Sequence, residues 1–279
     1  MMVRVVTDSN TMVPPALVES LGITVVPLTV TIAGEELVED HTMDVAAAYQ
    51  RLRAGEAATT SAPSPGLFAA TYRALGDGPV VSVHIGAAYS GTLNSARLGA
   101  SLTDADVHFV DTGTASFLAG CCVLAAAEMA RSGADPPTVV AAAESVAAEV
   151  ASVFTVAELD RARSGGRLDP ADRNGVPVLR MDHSGIVPVG HARTANEAAD
   201  LMVQEVSGST ERLRIGVGDA DAGILVGDLV ARLRAARPSD DVIRYVVGPT
   251  VAAHAGMGTF GIVYHSLTTY RRDLTGRLV

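Results

Sequence analysis

The chain has 279 residues, of which 48% are hydrophobic and 19% are charged, and its formal net charge is −10 at pH 7. This composition provides ample apolar side chains for a packed interior and excludes disordered and fibrous proteins. The sequence contains no Lys, which excludes Schiff-base catalysis and a phosphate-binding loop that depends on Lys. The excess of acidic residues argues against nucleic acid as a partner.

The first half of the chain alternates short β-branched runs with Ala-rich runs, which predicts strands joined by helices into a mostly parallel sheet. A first helix should begin at the Pro14-Pro15 pair and end at Gly22. The other predicted helices cover residues 45–53, 67–75, 93–100, 117–131 and 138–150. The predicted strands cover residues 3–6, 23–30, 80–83 and 107–110. The fold class of this half is therefore α/β.

The longest apolar run, residues 117–127, is shorter than the roughly 18 residues that indicate a membrane span, so we expect none. Met1, Met2 and Val3 lead directly into a strand without the apolar stretch and cleavage site of a secretory signal, which predicts a cytoplasmic protein. Cys121 and Cys122 are adjacent within a helical pattern, where a disulfide would be strained. We expect both to be reduced core residues.

A Gly- and charge-rich stretch at residues 163–170 interrupts the pattern and predicts a domain junction, with one domain at residues 1–165 and another at 166–279. The second part favours an α/β or α+β domain with at least one hairpin. Its predicted strands cover residues 176–181, 186–189, 213–217, 242–247 and 260–264, and its predicted helices cover residues 195–206 and 223–236.

Polar segments rich in Ser and Thr fall where we predict that strands end. They are Thr7-Asp8-Ser9, Thr59-Thr60-Ser61, residues 86–92 and residues 111–114. Because the carboxyl ends of parallel strands share one edge of a sheet, and helix N-termini offer N–H groups there, the pattern predicts a site for an anionic head group. The alternative for each segment is that its hydroxyl only caps the next helix.

The sequence disfavours two other chemistries for the segment from Gly86 to Thr92. It superficially resembles a phosphate loop, but Thr92 occupies the Lys position. Ser90 is a poor candidate for a hydrolase nucleophile because Ala88 stands where a nucleophile elbow has Gly. Neither His84 nor Asp111 has the chain order or context that would identify a triad.

His254 lies between Gly248-Pro249 and a predicted strand, which favours a Gly-flexed loop from which the imidazole can donate to an anion. The alternative is a capping or core His. A metal site is disfavoured because the segment has no second His or Cys at ligand spacing.

Taken together, segments spread over nearly the whole chain resemble the DegV-like fatty-acid-binding family. They are Val6-Thr7-Asp8-Ser9, Val26-Pro27-Leu28, Thr60-Ser61-Ala62-Pro63-Ser64, Ser90-Gly91-Thr92 with Ser95-Ala96, Asp111-Thr112, Gly165-Gly166-Arg167-Leu168, and His254-Ala255-Gly256-Met257-Gly258. The resemblance implies two α/β domains with a non-covalently bound fatty acid between them.

The resemblance also implies site residues and a role. The carboxylate of a long-chain fatty acid such as palmitate would be bound by Thr60, Ser61, Ser90, Gly91 and His254, with no cofactor or metal. Members of the family present this carboxylate to a separate fatty acid kinase, which makes an acyl-phosphate. We therefore expect a monomeric carrier that is not itself an enzyme.

The sequence is compatible with two further hypotheses. The protein is an enzyme that acts on a small acidic or phosphorylated metabolite, or it is an interaction domain with a vestigial pocket. Arg167 and Arg193 each lie beside a Gly-rich or hairpin turn, away from the hydroxyl-bearing segments. We predict that they serve the kinase partner or the domain interface. The alternative is ordinary pairing with acidic side chains at the surface.

Overall fold

The structure is a computed structural model that describes residues 2–156, 176–182 and 185–268. These residues form two compact units. The first unit comprises residues 2–43 and Ala58–Ala148, and the second comprises Asp44–Ala57 together with the described residues from Glu149 to Thr268. An early segment of the chain therefore belongs to the second unit. The predicted boundary at residue 165 lies outside the described residues.

The elements are numbered in chain order. Up to residue 148 they are β1 (Arg4–Asp8), α1 (Pro15–Leu21), β2 (Thr24–Val26), β3 (Thr29–Ile32), β4 (Glu35–Val38), α2 (Val45–Arg53), β5 (Ala58–Ser61), α3 (Pro65–Leu75), β6 (Val80–His84), α4 (Thr92–Ala100), β7 (Val107–Asp111), α5 (Phe117–Arg131) and α6 (Pro136–Ala147). After residue 148 they are β8 (Ala151–Thr155), β9 (Val176–Asp182), β10 (Gly185–Ala192), α7 (Ala195–Ser207), β11 (Leu213–Asp219), α8 (Ile224–Ala236), β12 (Asp241–Val246), α9 (Pro249–Ala255) and β13 (Phe260–Ser266). The α/β fold class is confirmed.

A parallel sheet with strand order β2-β1-β6-β7 forms the centre of the first unit. Its middle strands are buried on both faces, since Val6, Val80, Val81 and Val83 are each 0% exposed. Such two-sided burial is typical of a parallel sheet that helices cover. Because β1, β6 and β7 are parallel, their carboxyl ends lie along one edge of the sheet, as the sequence predicts.

Helix α5 is buried along almost its whole length, which explains its continuous apolar sequence. It has the bounds that the sequence predicts. Cys121 and Cys122 form no disulfide and are both 0% exposed, which confirms them as reduced core residues. Burial raises the pKa of the Cys122 thiol, so its thiolate is disfavoured and its reactivity is low.

The prediction of one strand at residues 23–30 is wrong. Pro27 interrupts it, because a Pro has no N–H for a sheet ladder, and the chain changes sheets there. Strand β2 stays in the parallel sheet, whereas β3 pairs with β4 and β5 in an antiparallel sheet. Strands β4 and β5 were not predicted, because they are short and polar and lack the alternation of apolar residues that indicates a strand.

Helix boundaries follow local signals in the first unit. Helix α3 begins at Pro65, and the Ser64 side chain accepts a hydrogen bond from the Leu67 N–H at 3.2 Å. Helix α1 ends at Gly22, whose φ of 65° lies in the left-handed region that glycine adopts without strain. The end at Gly22 is as predicted, whereas α3 begins two residues before its predicted start at residue 67, because Pro65 is its first helical residue.

The second unit is built on a mixed sheet with strand order β10-β9-β8-β13-β11-β12, in which only β11 and β12 are parallel among the described strands. Strands β9 and β10 form the predicted hairpin. Helices α7 and α8 supply Met202 and Leu229 to a core shared with Val178 and Ile215, all of them 0% exposed. Strand β8 was not predicted.

Helix α2 is held within the second unit by polar contacts as well as by apolar packing. The Tyr49 hydroxyl donates to the carbonyl of Val247, and Arg53 forms an ion pair with Asp221. Ala48 and Leu52 complete its buried face. Across the described ranges, none of the helices combines the length and apolar character that crossing a membrane requires.

Candidate functional site

Ser90 lies in the loop between β6 and α4, at the edge of the parallel sheet. The N–H groups of Tyr89 and Ser90 donate to the Gly86 carbonyl at 2.9 and 3.2 Å, which folds the loop into a tight turn. Gly91 precedes the first residue of α4, and its carbonyl accepts from Ser95 N at 2.9 Å. The turn thus places a half-buried Ser90 hydroxyl at the start of a helix.

The Ser90 loop rests on the loop that follows β7. Gly86 N donates to the Thr114 carbonyl at 2.7 Å, and Ala87 N donates to Asp111 Oδ1 at 3.1 Å. A Cβ atom at Gly86 would lie 2.7 Å from the carbonyl carbon of Gly113, so the backbones approach too closely for any residue but Gly. The two loops therefore pack directly against each other.

A buried carboxylate fixes the base of the same loop. Asp8, at the end of β1, accepts through Oδ2 from the Ile85 N–H at 3.1 Å and from His84 Nδ1 at 2.8 Å. Its Oδ1 accepts from Asn10 N at 3.1 Å. Asp8 and His84 are both 0% exposed and cannot bond water. The hydrogen bonds within the protein therefore compensate for the hydrogen bonds to water that these side chains lose on burial.

The chain of hydrogen bonds continues on the other side of His84. His84 Nε2 lies 2.7 Å from Ser82 Oγ, which in turn lies 2.9 Å from the Tyr72 hydroxyl oxygen. These contacts join Asp8, His84, Ser82 and Tyr72 in one hydrogen-bonded chain, in which each bond has one donor and one acceptor. Burial raises the pKa of Tyr72 to about 12, so its hydroxyl is protonated at neutral pH and can donate to Ser82.

Ser82, His84 and Asp8 have the mutual distances of a nucleophile, base and orienting acid. All three side chains are 0% exposed, however, so no substrate reaches the Ser82 oxygen in this arrangement. The residues stabilise the strand ends instead. A signal for them exists in the sequence, because Ser82 and His84 are polar residues two apart on an apolar strand and therefore share one face.

Thr60 and Ser61 do not lie in a loop after a strand of the parallel sheet, which corrects the prediction. They lie on β5, where Thr60 pairs with Val30 and Ser61 with Thr29 of β3. Successive side chains of a strand point to opposite faces, so the two hydroxyls diverge. Thr60 shares its face with the fully buried Val30, whereas Ser61 is on the exposed side.

His254 is also placed differently from the prediction. It lies on helix α9, which Pro249 begins and Gly256 ends with a φ of 89°, and not in a flexible loop. Pro at the first helical position is favourable, so the Pro that was read as part of a loop in fact starts a helix. The imidazole is exposed near the end of this helix, within the second unit.

Arg193 forms a surface ion pair, since its Nη2 lies 2.9 Å from Oε1 of Glu197, one helical turn further on. This hydrogen bond raises the pKa of Arg193 and lowers the pKa of Glu197. Arg167 lies outside the described residues. Within the ranges that the structure covers, no cluster of three His, Cys, Asp or Glu side chains is arranged to hold a metal ion.

The chain is an α/β protein with hydroxyl-bearing loops at the carboxyl edge of a parallel sheet, which is the edge where open α/β folds commonly bind ligands. The family model described as "Uncharacterised protein, DegV family" matches residues 2–267. The chain therefore belongs to the DegV family.

Relatives and solved structures match over nearly the full length. A DegV domain-containing protein of Streptomyces coelicolor is 34% identical over 95% of this chain and 98% of its own length. A Thermus thermophilus DegV family protein, described by its fatty acid binding, has a TM-score of 0.84 and 32% identity, covering 96% of this chain and 100% of its own. Bacillus subtilis DegV, described as a fatty acid binding protein, has a TM-score of 0.83 and 28% identity, covering 95% of this chain and 99% of its own.

Proposed function

We propose that this protein is a carrier that binds one long-chain fatty acid, such as palmitate, without covalent attachment. The fatty acid binding described for the Thermus and Bacillus proteins supports this, because both align with almost the entire chain. The observation on this chain that carries the proposal is the Ser90 hydroxyl, which lies half-buried at a helix start on a loop that other strand ends fix in place.

The proposed head-group site uses neutral donors. We propose Thr60, Ser61, Ser90, Gly91 and His254 as its residues, and since Thr60 and Ser61 face opposite sides of β5, Thr60 is the proposed direct contact of these two. A carboxylate accepts hydrogen bonds from hydroxyl, backbone N–H and imidazole N–H groups. A buried carboxylate must be hydrogen-bonded, and these groups meet that need without a permanent positive charge.

The acyl tail supplies most of the binding free energy under this proposal. Each buried methylene contributes about 0.8 kcal/mol, so a long tail contributes on the order of 10 kcal/mol before entropic costs. One hydrogen bond to a charged group is worth roughly 1.5 to 3 kcal/mol, which is several times less. The head-group contacts therefore serve mainly to orient the carboxylate.

The carrier role includes a partner. We propose that a separate fatty acid kinase in the cytoplasm phosphorylates the presented carboxylate, while this monomeric chain does no chemistry itself. The absence of Lys supports a non-catalytic role, because no Lys-dependent phosphate loop exists in the sequence. Arg167 and Arg193 are proposed to serve this partner or the domain interface; for Arg193 the role requires that the kinase displaces its pairing with Glu197.

Denaturing extraction and mass spectrometry of protein purified from bacteria test the proposal. We expect about one fatty acid per chain, and we expect added palmitate to raise the melting temperature of delipidated protein, since a ligand of the native state stabilises it. If extraction releases no fatty acid and palmitate leaves the melting temperature unchanged, the carrier function is wrong. A kinase assay with and without the carrier then tests presentation separately.

A further inference from the structure

The first helical residue of α4, Thr92, touches the proposed head-group site through Ser90. The two hydroxyl oxygens lie 2.9 Å apart, and the backbone N–H of Thr92 donates to Ser90 Oγ at 3.3 Å. Thr92 is 0% exposed, whereas Ser90 is half-buried. The buried Thr92 hydroxyl therefore contacts the partly exposed Ser90 hydroxyl from the interior side.

The direction of the hydrogen bond between these hydroxyls follows from burial. Over the part of the chain that the structure describes, Ser90 Oγ is the hydrogen-bond partner of the Thr92 hydroxyl and no other is present. If Ser90 donated to Thr92, the Thr92 proton would be buried without an acceptor, which is costly. Thr92 is accordingly the donor and Ser90 the acceptor.

The consequence for Ser90 is that both of its lone pairs are occupied. One accepts from the Thr92 hydroxyl and the other from the Thr92 N–H, and a serine oxygen has two lone pairs. Ser90 has only its own proton left, on the side that is half-exposed. A hydroxyl that accepts two hydrogen bonds is polarised, which strengthens the bond that it donates.

We propose that Thr92 is a positioning residue that sets the specificity of the head-group site, by fixing Ser90 as a donor toward an acceptor-only head group. A carboxylate is such a group, and a charged acceptor takes a stronger hydrogen bond than the oxygen of an alcohol. This inference rests on the proposed fatty acid binding and adds the reason why the site selects an acid.

The test compares palmitic acid with hexadecanol, each displacing a fluorescent fatty acid from wild type, Thr92→Val and Thr92→Ser. Valine keeps the shape of Thr92 and removes its hydroxyl, and we expect the preference for the acid to fall about 3- to 10-fold. Serine retains the hydroxyl and should restore the preference. The matched control is Thr71→Val, which removes a hydroxyl that bonds the Leu67 carbonyl at 2.9 Å on α3.

A double-mutant cycle separates positioning from a structural effect. If Thr92 acts through Ser90, Thr92→Val should cause no further loss of acid preference in a Ser90→Ala protein. The inference would be overturned, and the proposed function left intact, by either of two results. One is a double variant whose loss of acid preference equals the product of the two single losses, and the other is a Thr92→Val protein that loses acid and alcohol binding equally. Wild type that binds neither compound would overturn the proposed function, and this inference with it.

Discussion

Two segments of the first unit carry the hydroxyls proposed for the head group, and they are held in place in different ways. The Ser90 loop is fixed by groups distant in sequence, above all the Asp8 carboxylate and the Thr114 carbonyl. Thr60 is fixed by sheet register, since β5 pairs with β3 along its whole length. A local motif therefore supplies the hydroxyl, but long-range contacts decide where it points.

The largest expected effect is a loss of stability when the Asp8 carboxylate that supports the Ser90 loop is removed. In Asp8→Ala the buried His84 Nδ1 and Ile85 N–H lose their acceptor, so we expect a loss of roughly 3 kcal/mol or more in the free energy of unfolding. Urea denaturation measures it. The control is Asp111→Ala, whose exposed carboxylate bonds Ala87 N and Gly113 N and should cost about 1 kcal/mol. Equal losses would show that Asp8 is no special anchor.

The next prediction concerns ligand affinity and not stability. Ser90→Ala and Thr60→Ala should each weaken binding of palmitate about 10- to 150-fold, because each loses one hydrogen bond to a charged group. Displacement of a fluorescent fatty acid measures this. Ser95→Ala, one helical turn beyond Ser90, is the control and should change affinity little. If neither Ser90→Ala nor Thr60→Ala changes affinity, these two hydroxyls do not bind the carboxylate.

A smaller effect sharpens the comparison within β5. Because the side chains of Thr60 and Ser61 point to opposite faces of the strand, Ser61→Ala should weaken palmitate binding less than Thr60→Ala does. The same displacement assay ranks the two variants. The reverse order would mean that the carboxylate approaches from the face that Ser61 occupies.

A further effect is a pH dependence confined to alkaline solution. The pKa of Tyr72 is raised from its usual 10 to about 12, so the stability gained by keeping it protonated is fully present below pH 10. That share is lost as the pH rises through about 12. Tyr72→Phe should remove this dependence while costing about 1 kcal/mol at neutral pH. Unfolding free energies of both proteins between pH 8 and 12 provide the measurement; parallel curves would contradict it.

The comparison also shows what the sequence predicts and where it fails. Helices α2 and α5 have their predicted bounds because the amphipathic pattern of α2 and the long apolar run of α5 are both local signals. Strand β5 was missed because its sequence, Ala-Thr-Thr-Ser, has no apolar alternation, and its pairing with β3 is a tertiary contact. His254 was assigned to a loop because the flanking Gly residues outweighed the helix-starting Pro249.

The edge of the parallel sheet was predicted correctly, but its buried chemistry was not. Asp8 and His84 are 76 residues apart, so their contact depends on β1 and β6 being neighbours in the sheet. Strand order is not readable from a single local pattern. The sequence thus located the loops that carry Ser90 and Asp111, while the carboxylate that anchors them emerged only from the packed structure.

The assignment of α2 to the second unit affects how the chain must be synthesised. The ribosome synthesises α2 long before β8 and all of the later strands. Ala48, Tyr49 and Leu52 therefore cannot pack in their final positions until those strands have been synthesised. A polypeptide shortened after Ala148 would keep α2 but lack the Val247 carbonyl that accepts from Tyr49. Conversely, a fragment that begins at Glu149 would lack α2 altogether. Neither unit is therefore a continuous stretch of chain that can simply be cut out.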